Sequence, residues 1–236
     1  MASIIRIRGV GYSGVIMLRP LGRGLRDTLD NLLPFTLASF AWWLSLLLIV
    51  TAPAGTLALF AFADPRSIDD HLRLTRQEAL AIVRRDLLRA WVIALAIGVP
   101  ALVLVNNIAA YHDGDVRWLV PFWGALLLLV LGVGGVACSL RAVHGLAIGD
   151  ALRRGAVLTL ARLPQVLIVA ILLWIIIAIG GVLVVPALMF LPTLVAATVN
   201  HLVYDALGIT IANPLAPTVE RQAEDQRAKG GKYSVG

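Results

Sequence analysis

Long apolar runs alternate with short polar connectors along this chain. The first run, Leu32 to Ala63, holds 32 residues. A straight helix of that length would measure about 48 Å, against an apolar bilayer core of about 30 Å. The run also contains Thr51-Ala52-Pro53-Ala54-Gly55, a stretch that interrupts a helix. The pattern therefore predicts a hairpin turning at Thr51, Pro53 and Gly55. Leu32–Val50 enters the membrane and Pro53–Ala63 returns, the second arm being short or re-entrant.

Asp64–Arg89 is polar. Thr75-Arg76-Gln77-Glu78 has the spacing of a capping box and predicts a helix start. Ala79, Val83 and Leu87 line one face of that helix, and Arg84, Arg85 and Arg89 hold its other side near the headgroups. It is expected to run on into the next span, Trp91–Ala110. A polar loop, Tyr111–Arg117, precedes the span Trp118–Leu140. Tyr111, Trp118, Phe122 and Trp123 gather around that loop as an interfacial aromatic belt does.

A second basic connector, Arg141–Pro164, is predicted to form a short helix capped by Asp150 and carrying Arg153, Arg154 and Arg162. Val166–Val185 and a segment from about Ala187 to Tyr204 complete six membrane segments, with an uncharged turn at Pro186 to Pro192 between them. Residues 1–31 are basic and weakly amphipathic, with Ile16, Leu18, Leu21 and Leu25 among Arg19, Arg23 and Arg26. They read as an interfacial helix or a frayed tail. They carry no small-residue cleavage pattern, so no signal peptide is expected. Residues 205–236 read as a polar, disordered cytoplasmic tail.

Composition agrees with a membrane protein. Only 14% of the 236 residues are charged and 59% are hydrophobic, whereas soluble domains carry about 25% charge. That excludes a soluble globular domain and a disordered chain. Charge position then sets orientation. All but one of the 20 Lys and Arg fall in the N-terminal segment, the two basic connectors or the tail, Arg117 being the exception. With a hairpin at Leu32–Ala63 these segments share one side, which the positive-inside rule makes cytoplasmic. With a single crossing there, the arginines of the first connector would lie opposite the N-terminus. Both termini are therefore expected in the cytoplasm. The net charge of +6 is accounted for by anionic headgroups, so no nucleic-acid partner is expected.

The chain has no HExxH, GxSxG or Walker A sequence. Gly132-Val133-Gly134-Gly135 lies inside an apolar span and, with Ser139, reads as a small-residue helix contact rather than a nucleotide loop. His71, His112, His144 and His201 are scattered, and Cys138 is the single cysteine. No metal, cofactor or catalytic set is expected from them. The spans hold no ionisable residue at mid-membrane, which argues against a proton-coupled transporter. Asn200 and His201 are placed near the inner surface, with interhelical hydrogen bonding as their first role.

Several of these features together resemble the YesL family of small bacterial membrane proteins. They are Asp30-Asn31 before the first span, Thr51 with Pro53-Ala54 at its far end, and the basic amphipathic connector. The run Ala151-Leu152-Arg153-Arg154-Gly155-Ala156-Val157-Leu158, leading through Leu163-Pro164 into the fifth segment, is similar too. The resemblance covers about Arg19 to Tyr204. It implies the bacterial cytoplasmic membrane, an association with carbohydrate uptake and no catalytic residues. A second resemblance is to the cytoplasmic coupling loop of ABC-importer permeases, through Asp150-Ala151-Leu152, Gly155 and Leu163-Pro164. The separation from Gly155 to Pro164 is about one helical turn shorter than in that loop.

The sequence thus predicts an all-α polytopic transmembrane helical bundle over residues 32–204, with amphipathic cytoplasmic connectors. The expected function is that of a non-enzymatic accessory or scaffold protein. Its expected partners are the bilayer with its anionic headgroups and a membrane-protein subunit, met by Arg84, Arg85, Arg89, Arg153, Arg154 and Arg162. The alternative is a permease-like subunit of an ABC-type importer.

Overall fold

The structure, a computed structural model, describes residues 14–66, 76–112, 117–182 and 184–209. Among the described residues all regular structure is helical. The helices are α1 (Gly14–Asp30), α2 (Leu32–Leu47), α3 (Ala52–Phe62), α4 (Arg76–Tyr111), α5 (Val120–His144), α6 (Ile148–Ala161), α7 (Leu163–Val182) and α8 (Val184–Leu207). Two of them, α4 and α5, are long and apolar enough to cross a membrane. The count rises to three if the bent pair α6–α7 is taken as one span.

The first apolar run folds back on itself. Phe35 of α2 meets Phe62 of α3 with ring centroids 5.8 Å apart, and Trp42 donates its indole N–H to the Thr56 hydroxyl at 3.0 Å. These pairs make α2 and α3 an antiparallel hairpin. Its reversal lies at Leu48–Thr51, slightly earlier than Thr51–Gly55. Thr51 closes it twice, through its N–H to Leu48 O at 3.1 Å and its hydroxyl to Ser45 O at 3.1 Å. Pro53 sits in the first turn of α3, where a missing amide costs nothing because that amide has no helical acceptor. Gly55 faces Ser45 across the hairpin.

The hairpin is short. Its arms have 16 and 11 residues, about 24 and 17 Å of helix. At its tip, Trp91 donates to Val50 O at 3.0 Å. Beyond Trp91, α4 runs on to Tyr111, about 30 Å further along its axis. The hairpin tip therefore stops well below the far end of α4.

The core sits around α8. Val136 and Leu140 of α5, Ala151 of α6, Val166 and Val169 of α7 and Leu202 of α8 form its main cluster. Phe35, Leu59 and Phe60 of the hairpin close on Ala196 and Ala197 of α8. Ala54 and Leu57 pack on Ala90 and Ile93 of α4. Helix α1 is neither frayed nor separate; it packs along α8, closest at Gly24. A Cβ there would lie 2.8 and 2.9 Å from the backbone N and Cα of Thr198, so only glycine permits this approach.

Polarity is turned inside out. Ser39, Ser139, Thr159, Thr193, Thr198 and Asn200 are fully or almost fully buried, while Leu33, Leu47, Ile49, Leu88 and Leu102 are exposed. Water would not tolerate that outer surface, whereas hydrocarbon does.

Three sequence expectations need correction. Asp150 does not cap α6, whose N-cap is Ala147; it stands in the first turn and favours that end through the helix dipole. The Pro186 to Pro192 stretch is not a turn, because both prolines lie within α8, Val184–Leu207. Pro186 is in the first turn of α8, where its missing amide is harmless. Arg162 does not belong to α6 but follows its last residue, Ala161. Thr75, the start of the expected capping box, lies outside the described residues, as do most of the 205–236 tail and part of the 1–31 segment.

Candidate functional site

The C-terminal half of α8 is buried nearly all round, so every polar group on it needs a partner inside the protein. Asn200 shows how this is met. Its side-chain amide donates to Phe60 O at 2.9 Å and Ala63 O at 2.8 Å, and its oxygen accepts from the Ser139 hydroxyl at 2.7 Å. One side chain thus terminates α3 and ties it to α5 and α8. One turn on, the Tyr204 hydroxyl donates to Asp64 at 2.7 Å, and Asp64 is paired with Arg66 at 3.2 Å. The Arg66 guanidinium lies 5.2 Å from the Tyr204 ring centroid, and His144 packs against the same ring.

Helix α1 is latched to the same end of α8. His201 Nε2 lies 2.6 Å from Asp27, and Arg23 donates to Asp205 at 3.0 Å. Arg162 donates to Asp205 O at 3.2 Å and to Gln165 at 3.2 Å. On the other side of the bundle, Asp86 of α4 receives Arg141 of α5 at 2.6 Å, with Arg85 and Arg89 at 3.2 and 3.6 Å. Arg141 also donates to Leu146 O at 2.9 Å, holding the loop that leads into α6. Gly145 in that loop adopts φ 66°, the left-handed conformation that ends α5.

All these contacts join the N-terminal part of α4 to the C-terminal ends of α3, α5 and α8 and the start of α7. They bring the two basic connectors and α1 to one end of the bundle. A cleft of about 630 Å³ opens there, between the end of α5 and the side of α6. Arg153 and Arg154 line it, together with His144 and Asp150.

The six arginines singled out from the sequence are therefore not equivalent. Arg162 is half-buried and bonded within the bundle. Arg85 and Arg89 are exposed and paired with Asp86. Arg84, Arg153 and Arg154 are exposed and have no bonded partner among the described residues. No family model, curated protein or solved structure matches this chain. Among the described residues no group of three or more His, Cys, Asp or Glu could hold a metal ion.

Asn200 and His201 were legible in the sequence as interhelical hydrogen bonders. Asp27, Asp64, Asp86 and Arg141 were not, because each finds its partner on a helix remote in sequence. The one local signal was Tyr204-Asp205 closing an apolar helix that already carried Asn200 and His201.

Proposed function

We propose that this chain is a non-enzymatic, multi-pass accessory or scaffold protein of the bacterial cytoplasmic membrane, as its YesL-like motifs imply. In this reading α4, α5, α7 and α8 cross the bilayer, and the α2–α3 hairpin enters and leaves from the cytoplasmic side. The observation that carries it is the division of the charged groups. Asp27, Asp64, Asp86 and Asp205 are consumed in joining helices, while Arg153 and Arg154 are left facing outward at the same end. A protein whose buried polar groups serve architecture, and which displays unpaired arginines of the described residues on the outside of α4 and α6, suits assembly rather than turnover.

The experiment is purification from native membranes in a mild detergent. An integral-membrane partner should be retained in stoichiometric amount; a chain that is always recovered alone contradicts the scaffold reading. A second reading, a permease-like importer subunit, is favoured by one angle. Helix α6 meets α7 at 94°, so α6 lies along the surface when α7 crosses, as a docking helix would. Recovery of an ATPase subunit would select that reading.

The topology carries its own prediction. In a Cys138→Ser background, Gly114→Cys should react with an impermeant thiol reagent in intact cells, and Ser234→Cys should react only after the membrane is opened. Labelling of Ser234→Cys from outside would reverse the orientation.

A further inference from the structure

The cleft beside α6 has a floor and a rim of different character. Leu140, Leu146, Leu158 and Leu207 make the floor, and all four belong to the main core or pack against it. The floor is therefore held in place before any ligand arrives. The rim carries Arg153 and Arg154, adjacent on α6, and His144 on the last turn of α5. The two guanidiniums have no partner among the described residues, unlike Arg23, Arg66, Arg141 and Arg162 around them. The His144 ring packs against Tyr204 at a centroid distance of 5.5 Å, which fixes that side of the rim.

The geometry points to a binding site for one anionic amphiphile, a lipid with a phosphodiester headgroup. Its phosphate sits between Arg153 and Arg154, and its hydrocarbon lies on the leucine floor. The volume falls in the roughly 300–1,000 Å³ range of small-ligand sites. Two adjacent guanidiniums match a phosphate in charge and in hydrogen-bond geometry. The single carboxylate on the rim, Asp150, is outnumbered by the arginines and accepts from a hydroxyl, which favours a polyol headgroup over one with a second anion. The 94° turn between α6 and α7 sets the arginines at headgroup depth and the floor below them. This inference rests on the reading of α7 as a crossing helix.

The test is native mass spectrometry of the delipidated full chain, titrated with phosphatidylglycerol, phosphatidylcholine or glycerol phosphate. One phosphatidylglycerol should bind per chain, at least about tenfold more tightly than phosphatidylcholine. Arg153→Gln with Arg154→Gln should weaken it about thirtyfold, about fivefold for each arginine at an anionic headgroup. Ala161→Trp, which fills the cleft without changing charge, should weaken it too. Arg19→Gln with Arg117→Gln, both exposed, removes the same charge elsewhere and should leave binding unchanged. Equal loss in that control would reduce the effect to bulk charge and overturn the site. Equally tight binding of glycerol phosphate would make a soluble phosphate the ligand and overturn the lipid assignment. No one-to-one adduct, in protein whose topology labelling is as expected, overturns this inference and leaves the scaffold reading standing. Loss of a protein partner with the adduct retained does the reverse.

Discussion

Asp86→Leu is expected to lower stability by about 3–5 kcal/mol, the usual consequence of leaving one member of a buried ion pair alone. The Asp86 side chain is 4% exposed and that of Arg141 12%, and they meet at 2.6 Å. The other two arginines on Asp86 behave differently. Arg85 and Arg89 are 68% and 61% exposed, so water replaces the carboxylate for them at little cost. Arg141 has no such outlet and, among the described residues, keeps only its bond to Leu146 O. The double variant Asp86→Leu with Arg141→Met removes both charges and should recover most of the loss. Unfolding in mixed dodecylmaltoside and dodecyl sulfate micelles, followed by tryptophan fluorescence, measures all three proteins. A double variant as unstable as the worse single one would show that Asp86 and Arg141 do not act as a pair.

The second large effect is at Asn200. Asn200→Leu is expected to destabilise by about 2–5 kcal/mol, because it strands the carbonyls of Phe60 and Ala63 in a buried site. Ser139→Ala removes only the third bond of the same side chain, at 2.7 Å. It should cost about 0.6 kcal/mol, the average for a hydrogen bond between membrane helices. The difference between the two variants isolates the capping of α3 from ordinary interhelical bonding. Because Asn200 anchors the end of α3, Asn200→Leu should also speed proteolysis around Asp64–Arg66. Equal losses in the two variants, with no change in proteolysis, would remove the capping role.

Much of the architecture was readable from the pattern of apolar and polar positions. The hairpin at Leu32–Ala63 follows from length and from Pro53, since a continuous helix would overshoot the bilayer core and proline lacks the amide to continue one. The continuous helix through Arg89 and Trp91 follows from the same reasoning. The aromatic cluster is also local: Tyr111 stacks on Trp123 with ring centroids 6.4 Å apart, across the short loop that sequence placed between them. Helix ends were less legible. The prolines at 186 and 192 looked like a turn, because local propensity does not register that a first-turn proline is harmless and that an interior one can be tolerated. Asp150 looked like a cap because its type fits, although its position is two residues inside the helix.

What the sequence alone determined is a helical membrane protein with its positive charge gathered on alternate connectors. Those properties depend on apolar run length and charge position, which are one-dimensional quantities. Only the tertiary structure decided which charges are structural and which are free. Arg141, Arg153, Arg154 and Arg162 belong to one connector and are equivalent by composition. Folding brings Asp86 against Arg141 and the Asp205 carbonyl against Arg162, and leaves Arg153 and Arg154 without partners among the described residues, beside a cleft. The partners lie 55 and 43 positions away in the chain. Helical periodicity relates residues three or four positions apart, so it carries no information about pairings at that range.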